Sequence, residues 1–263
     1  MNTETDEQIV ERLRYRFAAL EELTRAIKRG KMRSLIVSGG PGVGKSFGIE
    51  KVLAYNDLFS MIANSPSDIS DKKFEIVKGS MGEIGLYKKL YEFRNDKQTL
   101  VLDDNDDVFA SERSLNMLKN ALDTGKKRIL SWNFESNILK DEGIPNSFEY
   151  NGGIIFVTNL NFNNVRSKTM KAHLEALEDR SHVFDLTVHT ARERGLRIKQ
   201  VVDDGMLNKF DLSNDVKEEI LKYILDNQTK IKLSLRTVSK TAELAESFPD
   251  KWQKLAKLTL KEV

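Results

Sequence analysis

The residues with the clearest chemical meaning form a glycine-rich segment near the start of the chain, GGPGVGKS at 39–46. Gly39, Gly44, Lys45 and Ser46 fit the pattern G-x-x-x-x-G-K-[ST], whose glycines leave backbone N–H groups free to bind phosphate oxygens. The lysine supplies a positive charge for the β- and γ-phosphates, and the serine hydroxyl is a ligand for Mg²⁺. The segment therefore predicts a phosphate-binding loop. Its predicted nucleotide-binding residues are Gly39, Gly40, Pro41, Gly42, Val43, Gly44, Lys45, Ser46 and Phe47.

A second segment, TLVLDDND, places two carboxylates directly after an apolar run that is typical of a buried strand. Because ligands bind at the carboxyl ends of parallel strands, Asp103 is predicted to hold Mg²⁺ together with Ser46, directly or through water. Asp104 is predicted to polarise the attacking water. An acidic turn without a binding role remains the alternative. Asp106 and Asp107 are expected to be solvated or to cap a helix.

A strand-ending amide is the third feature, because Asn159 follows the apolar run at 154–157. If this strand neighbours the one before the phosphate loop, Asn159 lies where a doubly wound sheet binds its ligand. We expect it to orient the attacking water, although a strand can also end in an asparagine without function.

Short strand-like runs alternate with amphipathic helical patterns through the first 200 residues, which predicts an α/β fold with a parallel sheet between helical layers. A helix is predicted within residues 1–30, with Gly30 as its stop. The helix after the phosphate loop is predicted from Phe47 to Tyr55, before a polar loop at 64–71. The predicted strands lie at 35–37, 73–80, 99–102, 154–157 and 181–188.

A smaller all-helical domain is predicted at 205–263, because strand-like runs cease near Asp203 and three amphipathic helices follow. The larger nucleotide-binding domain accordingly spans 1–200. The predicted core residues of the small domain are Leu233, Leu235, Val238, Leu244, Trp252, Leu255 and Leu258.

The segment 126–152 is predicted to be a strand pair inserted before the asparagine strand, because Leu130, Trp132 and Phe134 alternate with polar residues. It begins with the basic run Lys126–Arg128. Two interpretations are open: an edge hairpin that packs its aromatic residues against the domain, or a projection that touches a substrate such as single-stranded nucleic acid.

Composition limits the class of protein. The chain has 263 residues, 42 basic and 40 acidic, so its net charge of +2 gives no general signature of nucleic-acid binding. It has no cysteine and three histidines, which argues against disulfides and against a metal site built from those residues. No apolar run approaches the ~20 residues of a membrane span. We expect a soluble, cytoplasmic protein without a membrane partner.

The order of these motifs resembles the AAA+ ATPase family, in particular stand-alone, single-module proteins of phages and mobile elements. GGPGVGKS is similar to Walker A, LVLDD to Walker B, and Asn159 to sensor 1. Arg180 resembles the arginine finger that the family supplies to ATP on a neighbouring subunit. Arg236, at a helix start in the C-terminal domain, resembles sensor 2 and would bind nucleotide from the lid.

The resemblance implies Mg²⁺-dependent ATP hydrolysis by a homo-oligomeric ring or open spiral, with about six subunits as the family suggests. Lys45, Asp104, Asn159 and Arg180 would then be the catalytic residues. One departure is Asp104, where the family usually has glutamate. An error of about 1 Å in the position of a catalytic group can cost on the order of 10²-fold in rate, so hydrolysis is expected to be slow or water-bridged.

Three functions fit these motifs. The first is ATP-driven work on DNA by a translocase, a helicase loader or a clamp-loader-like protein, which the inserted hairpin favours. The second is protein remodelling, although GSMGEIGLY at 79–87 lacks the pore-loop pattern usual in that class. The third is a slow nucleotide switch, which is suggested by Asp104.

Overall fold

A computed structural model of the chain describes residues 4–54, 72–160, 162–165 and 167–260. The predicted polar loop at 64–71, the predicted helix end at Tyr55, and Arg166 lie outside these residues.

The predicted parallel α/β sheet is confirmed. Five strands among the described residues pair in the order β2-β3-β6-β1-β7, and every pairing is parallel. The strands are β1 (Ser34–Ser38), β2 (Phe74–Lys78), β3 (Thr99–Asp103), β6 (Gly153–Val157) and β7 (His182–Asp185), with a separate antiparallel pair, β4 (Ile129–Ser131) and β5 (Ser147–Glu149).

The described helices connect or follow these strands, and a short 3₁₀ turn spans Asp106–Phe109. They are α1 (Asp6–Lys28), α2 (Lys45–Ala54), α3 (Glu83–Glu92), α4 (Glu112–Ala121), α5 (Asn137–Asp141), α6 (Lys168–Glu178), α7 (Ala191–Asp203), α8 (Asn214–Asp226), α9 (Leu235–Ser247) and α10 (Trp252–Thr259). Among the described residues, no helix has both the length and the apolar character that crossing a bilayer requires.

The central strands are continuous apolar runs because both faces of the sheet are covered. Every residue of β3 and β6 is buried, as are the first four residues of β1. The register aligns Val37 of β1 and Asp103 of β3 with Val157 of β6. The carboxyl ends of three neighbouring strands therefore meet at one edge of the sheet.

The described residues form two compact units. The larger unit comprises Ala18–Gly39 and Lys45–Leu186 and contains the whole sheet. The smaller unit comprises Met1–Phe17, Gly40–Gly44 and Thr187–Val263, as far as these ranges are described, and is helical.

The smaller unit has its own apolar core, formed by residues of α7 to α10. Leu233, Val238 and Trp252 belong to it, whereas the prediction for Leu258 was wrong because 81% of that residue is exposed. Leu258 lies on the outer face of α10, while Ala256 and Leu260 face the core.

The helix α7 was not predicted from the sequence. It begins with a capping box in which the Thr190 side chain accepts from the Glu193 backbone N–H and the Glu193 carboxylate accepts from the Thr190 N–H. This T-x-x-E pattern is a readable start signal. The arginine-rich sequence of α7 concealed its narrow apolar face, of which Ile198 is the buried centre.

The strand pair at 126–152 packs its aromatic residues against the larger unit. The ring of Trp132 lies 5.6 Å from that of Tyr87, and Phe148 lies 5.1 Å from the same ring. Arg128 of the basic run is also buried and donates to Ala121 O at 2.9 Å. The intervening residues form α5, which was not predicted, capped by Ser136. Packing therefore accounts for most of this segment's aromatic residues.

Replacing Trp132 should accordingly destabilise the protein. Trp132→Ala removes a 7%-exposed indole, and we expect the free energy of unfolding to fall by about 3–5 kcal/mol in urea denaturation followed by circular dichroism. The control Phe134→Ala removes a 53%-exposed ring from the same segment and should cost at most about 1 kcal/mol. Equal losses in the two variants would contradict the packing described here.

Candidate functional site

The phosphate loop joins β1 to α2 through backbone conformations that favour glycine. Gly39, Gly42 and Gly44 have φ angles of 143°, 75° and 102°. L-residues rarely adopt these angles, so the glycine pattern follows from the path of the chain. The loop exposes Pro41 and buries Val43.

The loop is held closely by the start of α9. Leu235 N donates to Gly42 O at 2.8 Å, and a Cβ added at Gly42 would lie 2.7 Å from the Cβ of Ser234. Ser234 is itself the N-cap of α9, because its hydroxyl accepts from Thr237 N at 3.1 Å. Only glycine permits this approach of helix start to loop.

Lys45 lies at the first position of α2 and is 6% exposed. Its Nζ donates to Gly39 O at 2.6 Å and to Asn159 Oδ1 at 2.8 Å. The ammonium is thus held across the mouth of the loop by neutral oxygens, which an anion can replace.

Ser46 and Asp103 meet as the sequence predicts. The Ser46 hydroxyl donates to Asp103 Oδ1 at 2.9 Å, and Asp103 is 5% exposed at the end of β3. Lys78, from the end of β2, brings its Nζ to 3.7 Å from Asp103 Oδ2. A hydroxyl and a carboxylate beside a phosphate loop are hard oxygen donors of the kind that Mg²⁺ takes alongside phosphate oxygens, so these residues fit that ion.

Asp104 and Asn159 are joined by a hydrogen bond of 2.8 Å, from Asn159 Nδ2 to Asp104 Oδ1. The Asn159 amide therefore links the ammonium of Lys45 to the carboxylate of Asp104. Asp104 has φ +54°, an uncommon conformation for a residue other than glycine, and its backbone N–H donates to Val157 O at 2.9 Å. This turn leaves the Asp104 side chain exposed at the sheet edge.

The expectation that Asp106 is a solvated or capping charge was wrong. Asp106 is half-buried and accepts a 2.6 Å hydrogen bond from the Thr158 hydroxyl. Burial raises the pKa of Asp106, although that hydrogen bond opposes the change. Asp106 thus fixes the residue before Asn159, a positioning contact that its sequence did not reveal.

The two predicted arginines lie outside this hydrogen-bonded group. Arg180 is half-buried just beyond α6, and its Nη1 donates to Ala176 O of that helix at 2.7 Å. Arg236 is exposed at the second position of α9, next to the residue that contacts the loop. Phe47 is 70% exposed on the first turn of α2.

Sequence reasoning missed one arginine beside the phosphate loop. Arg197 lies on α7, and a Cβ added at Gly44 would be 3.7 Å from its Nη2. Recognition of α7 from its capping box would have placed Arg197 on a helix, but not against the loop.

Comparison with known proteins gives one relative in sequence. The chain is 33% identical over 257 residues to the uncharacterized 36.7 kDa protein in the nrdC–mobD intergenic region of enterobacteria phage T4, a match that covers 96% of this chain and 76% of the relative. No protein-family model matches the chain.

Solved structures with a similar course include the replication initiator DnaA bound to AMPPCP and single-stranded DNA, at 15% identity and a TM-score of 0.48. That match covers 91% of this chain and 63% of the initiator. Domain III of DnaA from Thermotoga maritima matches at 14% identity and a TM-score of 0.48, over 90% of this chain and 84% of that domain. NtrX from Brucella abortus in complex with ATP matches at 15% and 0.45, over 88% and 49%.

The contact between Gly42 and Ser234 gives a test of the loop geometry. Gly42→Ala forces a Cβ to 2.7 Å from another side chain at a positive φ, so the free energy of unfolding should fall by roughly 1–3 kcal/mol. Gly40→Ala is the matched control, because a Cβ there meets no atom within 4 Å, and we expect a change within about 0.5 kcal/mol. Both are measured by denaturant unfolding without nucleotide. A Gly42→Ala protein as stable as Gly40→Ala would contradict the described approach of α9.

Proposed function

The chain belongs to the family of that phage T4 protein, and we propose that it is a Mg²⁺-dependent ATPase of the AAA+ type. One observation carries the proposal: hydrogen bonds bring Lys45 together with Asn159 and Asp104, and Ser46 together with Asp103, at one sheet edge. These residues come from three different strand ends. Their types match what phosphoryl transfer to water requires: positive charge, oxygen ligands and a water-orienting carboxylate.

Binding begins at the phosphate loop, whose backbone N–H groups and helix dipole attract the triphosphate. The Lys45 ammonium exchanges its neutral acceptors, including Asn159 Oδ1, for phosphate oxygens. Ser46 and Asp103 would hold Mg²⁺, which supplies charge neutralisation on the β- and γ-phosphates. Lys45 then stabilises the charge that develops as the γ-phosphoryl group transfers.

Hydrolysis requires a water molecule in line with the γ-phosphate. Asp104 is exposed at the sheet edge and can accept the proton of that water, while the Asn159 amide holds the carboxylate in place. The water oxygen bonds to the γ-phosphorus, the bond to the β–γ bridging oxygen breaks, and the electron pair leaves with ADP. The short aspartate side chain favours slow turnover.

An oligomer is part of the proposal. Arg180 would act on the nucleotide of a neighbouring subunit, and Arg236 would bind nucleotide from the helical domain. The ring or open spiral, the cytoplasmic location and the predicted boundary near 200–205 are proposed on the resemblance to AAA+ proteins.

We propose DNA as the macromolecule on which the ATPase acts. Burial of Trp132 and Arg128 removes part of the original basis in the hairpin, but Lys126 and Lys127 are exposed and Phe134 presents half of its ring. Exposed cations near an exposed aromatic ring suit a single strand, through phosphate contacts and base stacking. Exposed Ile129 and Ile138 on the same segment would instead suit a protein substrate.

ATP turnover tests the proposed activity. Lys45→Ala should lower turnover by about 10²–10³-fold, because it removes the charge that stabilises the transferring phosphoryl group. Lys51→Ala, which removes an exposed lysine from the same helix, should retain turnover. The measurement is phosphate release with Mg²⁺ and ATP. Loss of turnover in both variants, or in neither, would contradict the site. Tight ATP binding without turnover in the unmodified protein would favour the slow switch.

DNA-stimulated turnover tests the proposed substrate. Single-stranded DNA should raise ATP turnover, and the stimulation should fall steeply with salt because the contacts are to phosphates. The double variant Lys126→Glu/Lys127→Glu should lose the stimulation and keep the basal rate, whereas Lys230→Glu/Lys232→Glu, also exposed, should keep both. Stimulation that is absent in the unmodified protein would move the proposal to protein remodelling.

A further inference from the structure

Arg197 on α7 is a buried cation with an incomplete set of partners. Its guanidinium carbon lies 3.4 Å from the ring centroid of Phe17, and its Nη1 donates to Gln200 Oε1 at 2.6 Å. Its Nε is buried and has no hydrogen-bond partner in the part of the chain that the structure describes. One strong donor is therefore withheld from water without compensation.

The charge of Arg197 is also uncompensated. Within the described ranges, no carboxylate lies within 4.0 Å of its guanidinium. Burial lowers the pKa of Arg197 to about 10, and the charge of Asp204 opposes this effect. Because buried charges in proteins are normally paired, this arrangement indicates an anion that comes from outside the chain.

The position of Arg197 shows where that anion would be. Its Nη2 lies beside Gly44 of the phosphate loop, at a distance that a Cβ would reduce to 3.7 Å. A small cavity adjoins the guanidinium. It is lined by Gly42, Val43, Val188, Ile198, Leu233 and Leu235, and these residues offer loop backbone and apolar walls but no acid.

We propose that Arg197 binds the phosphate chain of the nucleotide on loop residues Gly40–Gly44, with its free Nε–H donating to a phosphate oxygen. The inference rests on the proposed function and extends it to a residue outside the recognised motifs. Phe17 holds the guanidinium plane by stacking, and Gln200 fixes its rotation through Nη1. The ligand is thus met by a cation that is already oriented.

The other arginines of this unit are engaged differently. Arg192 forms an ion pair with Asp6 at 2.5 Å, and Arg194 donates from its Nε to Val188 O at 3.3 Å. Arg236 is exposed, so it can reach a nucleotide only from solvent. Arg197 differs from all three because its free donor is already desolvated.

Titration calorimetry of Arg197→Met with Mg²⁺ and ATP, ADP or pyrophosphate tests the inference. A charge-assisted hydrogen bond to phosphate predicts affinities that are roughly 10- to 100-fold weaker for all three ligands. Arg192→Met is the matched control, since it removes an exposed charge from the same helix, and its affinities should remain within about 2-fold of the unmodified protein.

A measurement on the unmodified protein guards against a variant that fails to fold. The ¹⁵Nε–¹Hε NMR signal of Arg197, assigned by its disappearance in Arg197→Lys, should shift when pyrophosphate and Mg²⁺ are added. Equal affinities of Arg197→Met and the unmodified protein, or an unmoved Nε signal with pyrophosphate bound, would overturn the inference alone. A changed preference between ATP and GTP with unchanged pyrophosphate affinity would also overturn it. An unmodified protein that binds none of the ligands would overturn the proposed function as well.

Discussion

The parallel register of β1, β3 and β6 is the constraint on which the proposed site depends. Pairing of Val37 and Asp103 with Val157 places three carboxyl strand ends side by side. The phosphate loop, the Asp103–Asp104 pair and Asn159 follow directly from these ends. A shift of one residue in a strand would turn Asp103 to the other face and separate it from Ser46, so the buried apolar strands also fix the chemistry.

A chain of side chains then connects these strand ends. Lys45 donates to Asn159, and Asn159 donates to Asp104, so the phosphate-binding cation and the water-orienting carboxylate share one amide. In our account, phosphate competes with Asn159 for the Lys45 ammonium. Nucleotide binding would therefore release the Asn159 oxygen while its Nδ2 group still holds Asp104. Arg197 would add a second cation that is already positioned, at a different part of the same loop.

Much of this site could be predicted from sequence, because its motifs are local and each follows a strand. The G-x-x-x-x-G-K-S pattern and the strand-ending Asp103 and Asn159 required only the assumption of a parallel sheet. Arg197 and Asp106 could not be found in this way. Their significance depends on burial and on partners distant in sequence, such as Phe17 for Arg197 and Thr158 for Asp106. Trp132 shows the converse, since alternation with polar residues does not tell a packed ring from a projecting one.

The central claim is that Lys45, Ser46 and Asp103 form a nucleotide site with the phosphate loop. A crystal structure with Mg²⁺ and a non-hydrolysable ATP analogue tests it most directly. We predict phosphate oxygens within hydrogen-bond distance of Lys45 Nζ and of the loop N–H groups, with Mg²⁺ beside Ser46 Oγ and Asp103. Nucleotide bound elsewhere, with the loop empty and Lys45 still donating to Asn159, would contradict the account.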